Sequence, residues 1–120
     1  MSTHRKQLGN FGERLAKEFL CRKGYTFIAA GMRSRFGEID LLMKDRDLIV
    51  IVEVKLSTSE QFGRPEERVT WKKRQKLLRT WWSVRERVVK ASRYRIDVVS
   101  ILINSEAKTA RVRHFQNIET

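Results

Sequence analysis

Residues 48–52 read Leu-Ile-Val-Ile-Val, the longest uninterrupted apolar run in the chain, and Glu53-Val54-Lys55-Leu56 follows. Side chains alternate faces along a strand, so a run that is apolar at every position is buried on both faces. Such a strand belongs in the middle of a sheet, and helices must flank that sheet. The run is also far shorter than the roughly 18 residues a membrane helix needs. Glu53 and Lys55 interrupt it on one face, the face of Ile51.

The rest of the chain supplies the flanking elements. Leu8, Phe11, Leu15, Ala16, Phe19 and Leu20 recur at helical spacing, which predicts an amphipathic helix over 4–23, stopped by Gly24. Residues 25–30 are aromatic and β-branched enough for a strand, with a basic turn through Arg33 and Arg35 behind it. Strands are expected over 37–43 and 48–56, joined by a polar turn at 44–47. A loop over 56–64 leads to Pro65, Glu66 and Glu67, a composition that suits a helix start. A long helix over 70–90 would place Thr70, Leu77, Trp81, Val84 and Val88 on one face. Strands over 95–103 and 110–115, joined by a turn at 104–109, complete the order helix, three strands, helix, two strands. The expected fold is α/β, a mixed central sheet flanked by helices. With 120 residues and no repeat or long linker, residues 1–120 form one expected domain.

Residues 1–23 carry charge throughout and hold no apolar signal-peptide core, so a soluble, cytoplasmic protein with no membrane partner is expected. The single cysteine, Cys21, excludes an internal disulfide framework and a cysteine zinc cage. It is expected to be a small buried side chain of the first helix.

Charge points to the partner. Twenty-six Lys and Arg against fourteen Asp and Glu leave a net charge of +12. Residues 64–95 hold twelve basic and three acidic residues, a local balance of +9. Residues 37–53 reverse this, with Glu38, Asp40, Asp45, Asp47 and Glu53 against Lys44 and Arg46. A basic field attracts polyanions, of which nucleic acid is the commonest in cells. Carboxylates would repel phosphates unless they hold a divalent cation that the phosphate also ligates.

Pairing Met43 with Leu48 across the 44–47 turn sets Glu38 opposite Glu53 and Asp40 opposite Ile51, all on one side. Asp40 and Glu53 are then diagonal neighbours about 7–8 Å apart at Cα. Their arms can converge on one cation with Mg–O bonds of about 2.1 Å, and Lys55 lies on the same face. Charges on an apolar strand are costly unless paired or metal-bound. A buried Glu53–Lys55 ion pair is the plainer alternative, but Asp40 with Glu53-Val54-Lys55 together favours the metal. Lys73 falls on the apolar stripe of the long helix, where it either snorkels or joins the site. Glu13 sits about 120° from the centre of the first helix's stripe, an ordinary surface position.

At these residues the chain resembles the PD-(D/E)XK nuclease superfamily, and more closely the YraN family of predicted endonucleases, itself distantly similar to archaeal Holliday junction resolvases. The resemblance is carried by Gly9-Asn10-Phe11-Gly12-Glu13 with Ala16 and Leu20, by Gly24-Tyr25, by Arg33 and by Gly37-Glu38-Ile39-Asp40-Leu41. It continues through Val52-Glu53-Val54-Lys55, Phe62-Gly63, Val69 with Lys73 and Leu77, and Arg95-Ile96-Asp97-Val98-Val99. It implies a restriction-endonuclease-like fold and Mg²⁺-dependent hydrolysis of phosphodiester bonds in DNA, including branched or junction DNA, with Mn²⁺ as a substitute. Asp40 and Glu53 would be the metal ligands. Lys55 would position the attacking water or offset transition-state charge, and Glu13 would be an additional acidic residue of the catalytic set, from the first helix. Lys73 matches a family lysine and is expected to contact phosphate.

Lys72, Arg74, Lys76 and Arg79, with Lys73, are the expected backbone-binding residues, reading no sequence. The rival reading is a non-catalytic nucleic-acid-binding module on a nuclease scaffold. A twofold homodimer would suit a junction with two scissile strands. Of Trp81 and Trp82, one is expected in the core and the other on a partner or base-stacking surface. Asp97 is expected to be a structural ion-pair partner, and His4 and His114 receive no role.

Overall fold

The apolar run lies in the central strand of five. In the computed structural model, which describes residues 3–58, 70–87 and 93–118, helix α1 (Thr3–Arg22) precedes strands β1 (Thr26–Ser34), β2 (Gly37–Asp45) and β3 (Leu48–Ser57). Helix α2 (Trp71–Val84) continues into a 3-10 turn over Arg85–Arg87, and strands β4 (Tyr94–Asn104) and β5 (Thr109–Phe115) follow. The sheet order is β1-β2-β3-β4-β5, with β3 and β4 parallel and the other neighbours antiparallel. The fold is therefore α/β with a mixed sheet, consistent with a restriction-endonuclease-like core. The expected helix start at Pro65, Glu66 and Glu67, Phe62, Gly63 and Val69, and the continuation of the long helix through Val88 to Lys90 lie outside the described residues, as do the side chains of His4 and Leu8.

Each face of the sheet has its own core. Ala16 and Leu20 of α1, with Tyr25, pack on Leu41, Met43, Val50, Val52, Val99 and Ile101. Leu77, Trp81 and Val84 of α2 pack on Ile39, Leu42, Ile49, Ile51 and Ile96. Helix α1 ends as the glycine predicted: Gly24 has φ +97°, its N–H donates to Cys21 O, and Tyr25 N–H donates to Leu20 O. Those two bonds form a Schellman cap. Thr70 is not a member of the α2 stripe as expected. It is the N-cap, its hydroxyl accepting the Lys73 N–H at 3.2 Å. Cys21, expected inside, is exposed, because Ala16 and Leu20 face the sheet and Cys21 lies about 100° round from Leu20.

Two strand details differ from the expected pattern. The β2–β3 turn is two residues, not four: Asp45 pairs with Leu48, and Arg46 takes φ 57°. The register thus slips by two from the expected one, which leaves every side chain on its face. Strand β1 also runs four residues further than expected, to Ser34. It does so through Gly31 at φ +62°, level with Asp40 between the pairs Ala30 with Leu41 and Met32 with Ile39. At this level the pleat breaks in both strands. Ile39 packs on the α2 side and Leu41 on the α1 side, although two residues apart they should share a face.

The far end of the α1 face is pinned by a polar cluster. Buried Asp97 accepts from Arg95 Nε at 2.9 Å, Arg95 Nη2 at 3.1 Å and Asn117 N at 2.9 Å, and lies 2.7 Å from His114 Nε2. Arg95 also reaches Asp45 and the Tyr25 hydroxyl. Asp97 is a structural ion-pair partner, as expected. The two adjacent tryptophans divide as expected too: Trp81 is 2% exposed and Trp82 53%. Trp81→Ala should therefore cost about 3–5 kcal/mol in urea unfolding. Trp82→Ala should stay within about 0.5 kcal/mol of wild type.

Candidate metal centre and basic surfaces

The ladder between β2 and β3 stops at Leu41 with Val52, although each strand continues, β2 backwards to Gly37 and β3 onwards to Ser57. Asp40 occupies the first position past that end. Its Oδ2 accepts the Val54 N–H at 2.8 Å, so a side chain takes a backbone donor that the ladder leaves open. The same position is the pleat break, which frees Asp40 from the alternation of its strand. Carboxylate oxygens of Glu13 from α1 and of Glu38 and Asp40 from β2 lie within 4.8 Å of one another.

Glu53 approaches from β3. It is 4% exposed, and its Oε1 lies 3.4 Å from Lys55 Nζ and 3.6 Å from Lys73 Nζ. Its Oε2 is buried with no hydrogen-bond partner. An unpaired buried carboxylate oxygen costs about 1–3 kcal/mol or more. Lys73 resolves its alternatives here: it turns inward to Glu53, from a helix face otherwise occupied by Leu77, Thr80 and Val84.

The electrostatics follow from the crowding. Burial pushes the Asp40 carboxyl up to about 7, the Glu53 charge adds to this and Glu13 adds less. The Val54 N–H and Lys73 oppose the rise. Burial also raises Glu13, helped by Glu38. Clustered carboxylates repel until a cation or protons neutralise them. A hard divalent cation takes oxygen ligands of this type, and the unmet Glu53 oxygen offers another. The donor set therefore fits Mg²⁺ or Mn²⁺.

Of the residues singled out in the sequence, Glu13, Asp40, Glu53, Lys55 and Lys73 gather at this end of the sheet. Asp40 clusters with Glu13 and Glu38, while Glu53 acts on it mainly through charge. Glu38 was unassigned in the sequence, yet its place two residues before Asp40 was the available signal. The backbone-binding set divides. Lys72 and Arg79 are exposed, about 100–120° round α2 from Lys73, and so point away from the carboxylates. Lys76 is exposed on the flank near Gly37. Arg74 is half-buried, with Nη1 lacking a partner. Beside Glu13 runs an open groove of about 550 Å³ lined by Asn10, Arg14, Lys17 and Phe27, with Lys17 Nζ 3.9 Å from the Phe27 ring centre. Charge counting over 64–95 missed these cations, although Lys17 lies four residues after Glu13 on the same helix face.

Comparison with known proteins gives a consistent family. The model of the "Uncharacterised protein family UPF0102" matches residues 12–101, a span that includes Glu13, Asp40, Glu53, Lys55 and Lys73. A UPF0102 protein of Pelotomaculum thermopropionicum is 36% identical over 118 residues, 98% of each chain. One from Aliivibrio fischeri strain MJ11 is 40% identical over 101 residues, 82% of each chain. One from Thermodesulfovibrio yellowstonii is 37% identical over 113 residues, 94% of this chain and 96% of the relative. No helix among the described residues is long and apolar enough to cross a membrane.

The raised Asp40 carboxyl has a consequence for stability. A carboxyl that holds its proton more tightly when folded loses stability as pH rises, here between about 4 and 7. In EDTA, wild type should melt lower at pH 8 than at pH 5. Asp40→Asn should flatten that slope and stabilise the protein at pH 8 by about 1–3 kcal/mol, with little effect at pH 4. A difference between the two proteins that does not vary with pH would contradict the assignment.

Proposed function

The chain belongs to the UPF0102 family, and we propose that it is a metal-dependent nuclease that hydrolyses phosphodiester bonds in DNA. The observation that carries this reading is the meeting of Glu13, Glu38 and Asp40 carboxylates within 4.8 Å beside the buried, unpartnered Oε2 of Glu53. Those four residues would hold Mg²⁺ or Mn²⁺. Bound there, the cation supplies Lewis-acid polarisation of a phosphoryl oxygen and a more acidic water.

The protein's own groups supply the rest. Asp40 must release its proton to serve as a ligand, so a cation competes there with a proton and its apparent affinity falls as pH drops below about 7. Lys55 and Lys73 both reach Glu53 Oε1, which keeps two ammonium groups beside the carboxylates. Lys55, the more enclosed of the two, is placed to stabilise charge that builds on the phosphate oxygens during attack. Arg14 and Lys17 line the groove next to Glu13 and can hold flanking phosphates without reading sequence. A cytoplasmic location accords with such a substrate.

The test is cleavage of labelled duplex, single-stranded, flap and four-way-junction DNA, with Mg²⁺, with Mn²⁺ and with EDTA. Wild type should cut only with metal. Asp40→Asn and Lys55→Ala should each lose roughly 10²-fold or more in rate while DNA binding persists. Glu38→Gln should weaken the apparent Mn²⁺ affinity, read by thermal shift, by roughly tenfold or more. Cutting in EDTA, or by Asp40→Asn, would overturn the assignment. Binding with no cutting under either metal would favour the non-catalytic scaffold.

A further inference from the structure

Helix α2 carries five basic residues and no acidic one, and the two that face away from the carboxylates, Lys72 and Arg79, do not stand alone. Trp71 is 64% exposed and Trp82 53%, values that are uncommon for the most easily buried aromatic surface. The two tryptophans are eleven residues apart, which sets them about 20° apart round the helix and about 16 Å along it. Leu78, between them in the sequence, packs partly against the α2-side core, and exposed Lys72 and Arg79 lie about 60–100° round the helix on one side of the tryptophans. The Arg85 guanidinium stacks 4.0 Å from the Trp82 ring centre, which fixes that ring while leaving half of the residue open.

We infer that this outward face of α2 is a stacking platform for unpaired nucleotides, so that the protein takes nucleic acid with a single-stranded segment. The inference rests on the nucleic-acid part of the proposed function and adds the class of substrate. An indole offers a phosphate only its single N–H, whereas its broad ring face suits a base, and the base faces of a closed duplex are not accessible to it, so exposed tryptophans among cations match a strand whose bases are free. A 16 Å span corresponds to at most about five nucleotides at 3.4 Å each. A second copy of the chain would set one wholly basic helix against another, which charge opposes. Trp71 stands two residues from Lys73, so the platform begins at the carboxylate end of the helix.

The experiment measures binding of the full chain in EDTA to a labelled 12-nucleotide oligothymidylate and to a duplex of equal length, by anisotropy and tryptophan quenching. Trp71→Ala and Trp82→Ala should each weaken single-strand binding about tenfold and duplex binding less than about twofold, with Trp82→Phe retaining most of the affinity. Equal losses on both ligands, or no loss on either, would overturn the inference. So would a dimer in sedimentation that Trp82→Ala dissociates, or an acidic peptide that outcompetes the oligonucleotide. Since no metal is present, the two proposals fail separately. Tryptophan-dependent binding by a protein that never cuts leaves the platform standing, and tryptophan-independent binding by one that cuts removes only the platform.

Discussion

The hydrogen bond from Val54 N–H to Asp40 Oδ2 is the joint on which the site depends. A sheet in which β2 and β3 paired along their whole length would spend the Val54 N–H on a backbone carbonyl and keep Asp40 in the strict alternation of its strand. Here the ladder ends at Leu41 with Val52, and the pleat breaks at the same level in β1 and β2. Gly31 permits the break on the β1 side, because φ +62° is open to glycine at little cost. The carboxylate then closes the ladder end with one oxygen. Its neighbours Glu13 and Glu38 crowd the same space, and this crowding is only possible because the strand is irregular there.

The same sheet contains a contrasting carboxylate. Burial by itself would raise Asp97 as it raises Asp40, yet hydrogen bonds from His114, Arg95 and the Asn117 N–H, with the Arg95 charge, hold Asp97 below its ordinary range. Asp97 is saturated with donors and does structural work between β4, β5 and the chain end. Asp40 receives one backbone donor and faces carboxylates. Half-buried Asp40 and buried Asp97 on one scaffold thus have opposite shifts in proton affinity, set by whether their neighbours repel or donate. Strained, repelled carboxylates are characteristic of sites that bind a further cationic partner.

Most of this was legible in the sequence, for reasons that particular residues make plain. The apolar run at 48–52 placed the central strand, Gly24 the end of α1, and Glu53 and Lys55 the interruption of one face. The β2–β3 register was misjudged by two because Lys44 and Asp45 look like turn residues, although both pair in the ladder. The error was harmless to the site, since an even slip preserves faces. The pleat break was not legible at all. It needs Gly31 and Asp40 to be level, and that pairing is a long-range fact which no local propensity encodes. The density of basic residues along the sequence favours α2. Direction round a helix divides that block into Lys73 turned inward and Lys72 and Arg79 turned out.

A net charge of +12 around an acidic centre is then less paradoxical than the composition suggests. The carboxylates come from α1, β2 and β3, and Lys73 comes from α2 on the opposite side of the sheet. Neutralising the cluster therefore relieves repulsion between elements that belong to two separate hydrophobic cores. Each core closes without the charged residues, so the fold does not require the cluster to be filled. What a bound cation would change is the local balance at the one level where both faces meet, the level at which the ladder and the pleat already give way. The stability of the two cores is what allows Glu53 Oε2 at that level to remain unpartnered, and a preorganised set of carboxylate oxygens with one such member is what a cation and a phosphate could complete.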